Sequence, residues 1–245
     1  MKQGFFTITD NTRLAPNTYR MVLAGDTSAI TAPGQFVNIA LTGKFLRRPI
    51  SVCDWEEGTL TILYKVVGKG TAQMSEMVSG QTLDLLTGLG NGYDLDKAGD
   101  RPLLIGGGAG VPPMYALAKH LLARGKHPSV ILGFNTAAER FYQAEFAALG
   151  LPVTVTTVDG SAGTKGFVTD AMPAIDYTYI YTCGPGPMLK AVYDSSVTSG
   201  QFSFEERMGC GFGACMGCTC ETVAGYKRIC KDGPVMRKEE LLWND

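Results

Sequence analysis

Five of the seven cysteines in this 245-residue chain lie close together in a short stretch between Cys210 and Cys230. Cys210, Cys215 and Cys218 have the spacing C-x4-C-x2-C, which is typical of a plant-type [2Fe–2S] site whose fourth cysteine lies at a distance. The stretch is also rich in glycine, which a loop around a cluster needs, because its backbone takes unusual φ values and comes close to the sulfides. The spacing therefore predicts an iron–sulfur cluster.

The same cysteines have other interpretations. A structural zinc site usually has two separated C-x2-C pairs, whereas this stretch has one. A secreted disulfide framework favours an even number of cysteines spread along a short chain. Cys230 is favoured as the fourth ligand because Cys220 is only two residues from Cys218, and an extended Thr219 would direct those two side chains to opposite faces. Cys220 is the alternative.

Charge and composition exclude several classes of protein. Lys and Arg number 22 and Asp and Glu number 23, so nothing favours binding to nucleic acid. No stretch of about 18 apolar residues could span a membrane, and the N-terminus lacks the apolar core of a secretory signal. The clustered thiols favour the cytoplasm. The only histidines, His120 and His127, are expected to be structural or exposed, and no catalytic side chain is predicted.

The first part of the chain, residues 1–98, shows short β-branched or aromatic runs separated by turn residues. Such spacing is typical of a small barrel or sandwich. A helical patch, Thr71–Val78, interrupts the series. The predicted strands are Phe5–Thr9, Tyr19–Leu23, Gln35–Ala40, Ile50–Asp54, Leu60–Val66 and Gln81–Leu86.

From about residue 99, apolar strands alternate with helices, which favours a parallel sheet covered on both faces. The predicted strands are Pro102–Ile105, Ser129–Phe134, Val153–Val158 and Thr178–Thr182, and the helices are Met114–Arg124, Ala138–Leu149 and Met188–Ser196. We therefore predict a β-barrel domain at 1–98, an α/β domain at 99–200 and a small cluster-binding module at 201–245.

Two glycine-rich loops follow strands of the predicted α/β domain. Gly106–Pro113 opens a helix, a context that suits a diphosphate. It lacks a regular G-x-G-x-x-G, and no acidic residue ends the next strand, so a tight turn is the alternative. Cys183–Met188 follows another strand. Because ligands bind beyond the carboxyl ends of parallel strands, we expect both loops at one sheet edge. Cys183 itself also suits a small buried thiol.

Two motifs of the barrel carry features of a nucleotide site. Within Arg47–Ser51, Arg48 could pair with a phosphate and Ser51 could donate a hydrogen bond to a flavin ring. Gly68–Thr71 begins the helical patch and could hold a diphosphate. On spacing alone, a charged turn explains each motif better.

The order of these motifs nevertheless resembles a known group of proteins. R-P-I-S, G-x-G-T, G-G-G-A-G-V-P-P and C-G-P-G-P-M, in that order, resemble the ferredoxin–NADP reductase superfamily, which pairs an FAD barrel with a pyridine-nucleotide domain. The cysteine tail, with I-C-K-D-G-P-V at 229–235, resembles the electron transfer subunits of class 1B dihydroorotate dehydrogenases. The resemblance covers nearly the whole chain, including L-G-N-G at 89–92.

This resemblance implies three cofactors. It implies FAD at Arg48, Pro49, Ile50, Ser51, Leu63, Tyr64, Lys65, Gly70 and Thr71. It implies NAD(H) at Gly106, Gly107, Gly108, Ala109, Gly110, Cys183, Gly184, Pro185 and Met188. It implies a [2Fe–2S] cluster at Cys210, Cys215, Cys218 and Cys230, with Cys220 free.

The resemblance also implies a role in pyrimidine (UMP) biosynthesis. Electrons from an FMN-containing catalytic subunit that oxidises dihydroorotate would pass through the cluster and FAD to NAD+, in a heterotetramer of two copies of each subunit. The alternative is an NAD(P)H-dependent input subunit of a sulfite reductase, hydrogenase or ferredoxin–NADP oxidoreductase complex. Cys210 favours the first, since the last type often has Asp there. A non-enzymatic, zinc-stabilised nucleotide sensor is a third hypothesis.

Overall fold

The computed structural model describes residues 1–243 and begins with a closed antiparallel barrel. Its strands have the order β1-β2-β5-β4-β3-β6 around the barrel. Phe6, Ile62 and Leu85 fill its interior. The strands are β1 (Lys2–Ala15), β2 (Thr18–Ala24), β3 (Phe36–Ile39), β4 (Arg48–Glu56), β5 (Thr59–Lys65) and β6 (Thr82–Leu89), with helix α1 (Lys69–Ser75) between β5 and β6. The predicted barrel is confirmed.

A seven-stranded sheet follows, in the order β10-β9-β8-β7-β11-β12-β15. All its strands are parallel except β15, which is antiparallel to β12. The strands are β7 (Pro102–Gly107), β8 (Ser129–Phe134), β9 (Val153–Thr157), β10 (Thr164–Lys165), β11 (Tyr179–Cys183), β12 (Gly200–Ser203) and β15 (Val235–Arg237). The helices are α2 (Val111–Ala123), α3 (Gln143–Ala148), α4 (Val168–Ala171) and α5 (Gly186–Ser195).

The central strand β7 is buried along its whole length because both faces of the sheet are covered. Leu104 packs into one hydrophobic cluster, whereas Leu103 and Ile105 pack into another. The predicted parallel sheet with helices on both faces is confirmed.

The predicted helix Ala138–Leu149 is not continuous. A 3-10 turn covers Ala137–Glu139, Tyr142 takes the left-handed conformation with φ 64°, and α3 begins only at Gln143. The ring of Tyr142 is buried and packs edge-on against Tyr115 with 5.1 Å between ring centroids. The buried ring of Tyr142 therefore accompanies a break in the chain that the helical pattern of the sequence does not predict.

The C-terminal part of the chain wraps back onto the sheet. A cysteine loop, which we define as residues 209–218, leads into the hairpin of β13 (Thr219–Thr222) and β14 (Gly225–Arg228). The flanking strands β12 and β15 pair with each other inside the large sheet. The sheet therefore includes β15 and most of β12, which lie within the predicted C-terminal module at 201–245. Among residues 1–243, no helix has the length and apolar character to cross a membrane.

Candidate functional site

The four predicted cluster ligands form two pairs of thiols. Cys210 and Cys215 contact each other: Cys210 N–H donates to Cys215 Sγ at 3.5 Å and Cys215 N–H donates to Cys210 Sγ at 3.4 Å. Cys218 and Cys230 form the second pair, in which Cys230 N–H donates to Cys218 Sγ at 3.4 Å. A [2Fe–2S] cluster takes four cysteine thiolates. Two pairs of thiols supply that number of ligands.

The two pairs differ in their surroundings. Burial would raise the pKa of Cys210, but backbone N–H groups, including those of Phe212 and Cys215, lower it to about 6. Burial and the neighbouring Cys218 thiol raise the pKa of Cys230 to about 12. Cys215 is exposed whereas Cys218 and Cys230 are buried. The donor set thus fits a cluster with one side in the protein and the other at the surface.

Cys220 stands apart from the four. It lies in β13 opposite Lys227, and burial raises the pKa of its thiol. Sequence reasoning missed Arg228, which joins two loops of the module. Its guanidinium donates to Asp232 Oδ2 at 2.9 Å and to the Gly213 carbonyl at 3.0 Å. No local motif marks this role, since the partners lie on both sides of the hairpin.

The barrel brings Arg48 and the start of α1 into contact. A Cβ on Gly70 would lie 2.2 Å from Arg48 Nε, so a larger residue there would displace the guanidinium from this position. The Thr71 hydroxyl accepts from Val67 N–H at 3.0 Å and closes the turn before the helix. A guanidinium beside a turn of backbone N–H groups is suited to a diphosphate. These residues therefore fit FAD, as the resemblance implies.

The other residues predicted for FAD lie on the neighbouring strands. Pro49, Ile50 and Ser51 continue β4, and the Ser51 hydroxyl has no hydrogen-bond partner among residues 1–243, which leaves it available to a ligand. Leu63, Tyr64 and Lys65 end β5, where they line a narrow, open cleft. Gly108 and Ala109, at the end of β7, form its opposite wall, so the cleft lies between barrel and sheet.

The two glycine-rich loops predicted for NAD(H) meet at one edge of the sheet. Gly106 and Cys183 are register partners at the ends of β7 and β11. A Cβ on Gly110 would lie 2.1 Å from the Cys183 carbonyl oxygen, so the loops are in direct contact. The other residues predicted for NAD(H) belong to these two loops: Gly107, Gly108, Ala109, Gly184, Pro185 and Met188. The N-terminus of α2 faces this edge, as a diphosphate would require.

The remaining thiols and His120 contribute packing, whereas His127 is exposed. Burial raises the pKa of the Cys183 thiol to about 12, and burial raises that of Cys53 further. Neither is a thiolate at neutral pH. His120 Nδ1–H donates to the Ala116 carbonyl at 2.8 Å, and the imidazole ring stacks on Trp55 with 4.8 Å between ring centroids. This histidine joins the sheet to the barrel.

Comparisons with known proteins agree with this geometry. Residues 205–242 match the iron–sulfur cluster binding domain of dihydroorotate dehydrogenase B, and residues 104–194 match the oxidoreductase NAD-binding domain. The chain is 44% identical over 256 aligned positions to the dihydroorotate dehydrogenase B (NAD(+)) electron transfer subunit of Geobacillus sp. (strain WCH70), with 99% of each chain covered. The corresponding subunit of Fusobacterium nucleatum is 43% identical, with 96% of each chain covered.

Solved structures show the same architecture. A chain from the structure of an NADH-dependent reduced ferredoxin–NADP oxidoreductase superposes with a TM-score of 0.90 and 31% identity, covering 98% of this chain and 90% of that one. A ferredoxin NADP+ reductase from Neisseria gonorrhoeae with bound FAD and NADP shares the fold, with a TM-score of 0.70 and 17% identity. It covers 80% of this chain and 90% of its own.

Proposed function

The chain belongs to the family of dihydroorotate dehydrogenase B electron transfer subunits, and we propose that its three structural units divide the three cofactors of this activity among them. It is a subunit of an NAD-dependent oxidoreductase and carries electrons between the catalytic subunit and NAD+. FAD, a [2Fe–2S] cluster and NAD(H) are its cofactors. The proposed units are the barrel at 1–98, the α/β domain at 99–200 and the cluster module at 201–245.

We assign each cofactor to the residues that converge for it. The pairs Cys210–Cys215 and Cys218–Cys230 hold the cluster. Arg48 and the turn at Gly70 and Thr71 bind the FAD diphosphate, while Pro49, Ile50, Ser51, Leu63, Tyr64 and Lys65 orient the rest of that cofactor. NAD(H) is bound by the contacting loops, through Gly106–Gly110 and through Cys183, Gly184, Pro185 and Met188. When bound, FAD exchanges hydride with the nicotinamide and the cluster exchanges single electrons, while the protein supplies position and electrostatics.

The partner is a separate subunit that oxidises dihydroorotate. We propose that it contains FMN and that two copies of each subunit form a heterotetramer, since the relatives are electron transfer subunits that leave substrate chemistry to another chain. We also place the protein in the cytoplasm, because its seven cysteines are all free in the structure and a reducing compartment preserves such thiols.

The pairing of the four cysteines is the observation that carries this proposal. The cluster sits at the surface, where Cys215 is exposed and Phe212 and Met216 expose 44% and 54% of their surface. A cluster at this surface would be accessible to a partner subunit. The cleft between barrel and sheet is lined instead by residues assigned to FAD and NAD(H). Electrons therefore have an entry point and an exit point on different parts of the chain.

Replacement of Cys215 by alanine tests this assignment in the assembled complex. We expect Cys215→Ala to lose the cluster absorption, to keep FAD and NADH–dye activity, and to lose dihydroorotate-dependent NAD+ reduction. Dye reduction is the internal control, because it needs only FAD and the nucleotide loops. Survival of dihydroorotate-dependent NAD+ reduction would remove the cluster from the route. A colourless wild-type protein that contains zinc would contradict the whole assignment.

A further inference from the structure

A buried asparagine of the barrel holds the first cluster ligand. Asn38 lies on β3 and is 1% exposed. Its Nδ2 donates to the Cys210 carbonyl at 3.1 Å, across 172 residues of sequence. A Cβ on Gly211, where φ is 79°, would lie 2.3 Å from Nδ2. The cysteine loop is therefore pressed against this amide group.

A second asparagine, Asn91, follows the barrel and holds the chain beyond the fourth ligand. Its backbone N–H donates to the Gly233 carbonyl at 2.7 Å. Its Nδ2 donates to the Val235 carbonyl at 2.7 Å, and its Oδ1 accepts from Val235 N–H at 3.0 Å. Asn91 belongs to the L-G-N-G motif at 89–92, to which no cofactor is assigned.

The asparagine contacts connect the cluster module to the strand predicted to hold flavin. Asn38 is the register partner of Pro49 on β4, next to Arg48. On the module side, Arg228 joins Gly213 of the cysteine loop to Asp232, whose carbonyl also accepts from Asn91 Nδ2 at 3.3 Å. Asn38 and Asn91 thus each hydrogen-bond a different part of the cluster module. The Arg228 guanidinium connects these two parts.

We propose that Asn38 and Asn91 are positioning residues that fix the cysteine loop against the flavin-binding strand and so set the rate of electron transfer between FAD and the cluster. The inference rests on the proposed placement of both cofactors. Electron transfer falls steeply with distance, so a loop that leaves the barrel even briefly slows it. Neither asparagine acts on NADH, dihydroorotate or the flavin itself.

One atom of Asn38 indicates that this side chain positions the cysteine loop and does not stabilise the fold. Its Oδ1 is buried and has no hydrogen-bond partner among residues 1–243. Burying an unpaired polar group is unfavourable. Leucine has almost the same shape and carries no such atom, so it would remove that cost. It would also remove the donor to Cys210.

The first test compares the holoprotein with its Asn38→Leu variant. We expect unchanged flavin reduction by NADH in stopped flow, slower cluster reduction in freeze-quenched EPR, and an unchanged or higher midpoint of unfolding. Backbone amides at 211–217 should exchange hydrogen about tenfold faster, since one neutral hydrogen bond of usual net strength corresponds to about that factor in a local opening equilibrium.

Gln201→Leu is the matched control. Gln201 is a buried side-chain amide on β12 that donates to the Asp94 carbonyl at 2.9 Å and does not contact the cysteine loop. We expect this variant to be less stable than wild type, with unchanged cluster reduction and unchanged exchange at 211–217. A similar slowing in both variants would show a general loss of stability and overturn the proposal.

Two further variants keep the test decisive if Asn38→Leu does not take up iron. Asn38→Asp keeps the shape and removes the donor to Cys210, and Asn91→Asp removes the donors to Val235 and Asp232. Slower cluster reduction with normal flavin reduction in either variant supports the proposal; wild-type rates in both overturn it. Failure of the cofactor assignment is distinguishable, because the wild-type protein would then lack the flavin or cluster spectrum.

Discussion

Cys220 and Cys230 are both close in sequence to the third cluster ligand, yet the structure gives them different surroundings. Cys230 contacts the thiol of Cys218, whereas Cys220 extends from a hairpin strand opposite Lys227. Sequence spacing favours Cys230 through the alternation of side chains along a strand. At the scale of single residues, the contact with Cys218 therefore favours Cys230 as the fourth ligand.

Substitution of each cysteine separates the two alternatives. We expect Cys230→Ser to purify with little iron and sulfide and without cluster absorption, because one iron loses a thiolate. Cys220→Ala should keep the wild-type content of both, since its side chain lies outside the two pairs. Iron and sulfide analysis with visible absorption measures the difference. Loss of the cluster in Cys220→Ala with retention in Cys230→Ser would reverse the assignment.

Ser51 tests the flavin side of the site. Its hydroxyl is half-buried on β4 and free to donate to a bound ligand. We expect Ser51→Ala to slow flavin reduction by NADH by roughly threefold to tenfold, which corresponds to a hydrogen bond with a net strength of about 0.5–1.5 kcal/mol. Stopped-flow bleaching of the flavin measures this rate. Ser28→Ala, an exposed position in a barrel loop, is the control, and equal rates in both variants would remove Ser51 from the site.

At the scale of elements, the contact between the loop after β7 and the end of β11 can be tested by adding one methyl group. A Cβ at Gly110 would lie 2.1 Å from the Cys183 carbonyl oxygen, which belongs to backbone and cannot easily move. We expect Gly110→Ala to weaken NADH binding by separating the two loops and to lower stability by about 1–3 kcal/mol, as overpacking does. NADH titration and urea unfolding measure these effects.

Gly186→Ala is the matched control for this prediction. Gly186 begins α5 in the neighbouring loop, and a Cβ there meets no atom within 4 Å. Alanine also favours the helix more than glycine does. We expect NADH affinity and stability close to those of wild type. A comparable loss of NADH affinity and stability in both variants would contradict this prediction, because the cause would then not be the contact between the two loops.

Local patterns predict the elements that local forces determine. The six barrel strands and the apolar strands β7, β8, β9 and β11 follow from residue type and spacing, and the structure has them. The sequence does not predict β12 and β15 as part of the sheet, because β12 has only four residues and β15 three, and they pair with each other across the intervening cysteine loop and hairpin. The break at Tyr142 depends on ring packing against Tyr115, which helical periodicity does not show.

The site shows the same division. C-x4-C-x2-C gives three ligands because their spacing is local, and the glycine-rich loops are visible because each follows an apolar strand. The two-by-two pairing of the thiols and the anchoring by Asn38 and Asn91 are not visible in the sequence. Their partners are 172 and 144 residues away, so only the folded chain brings them together.

On the scale of the whole molecule, two of the three hydrophobic clusters within residues 1–243 contain residues from more than one unit, whereas the third fills the barrel alone. Cys53 and Leu63 of the barrel pack in the same buried cluster as Leu104 of the sheet. Phe36 of the barrel and Cys218 of the cysteine loop pack in the cluster on the other face. The barrel therefore has a core of its own, but the predicted domain boundaries cut through the two clusters that cover the sheet.

Charged side chains reinforce the junction between barrel and sheet. Lys119 on α2 lies 2.7 Å from Asp54 on β4, and a second barrel carboxylate, Glu56, lies 3.6 Å away. The stacked pair of Trp55 and His120 lies beside them on the same two elements. Separating the units would expose these groups together with the shared apolar surface, which makes independent unfolding of either unit unfavourable.

We therefore expect the holoprotein to unfold in one transition, with coincident midpoints for far-UV circular dichroism, flavin fluorescence and cluster absorption. Lys119→Met should lower all three midpoints together by about 2–4 °C, because an ion pair with side chains under a third exposed contributes up to about 1 kcal/mol. The same substitution in an Asp54→Asn background should have a smaller effect, since the partner charge is already absent. Flavin release well below the loss of secondary structure would show instead that the barrel unfolds alone and that the shared core does not couple the units.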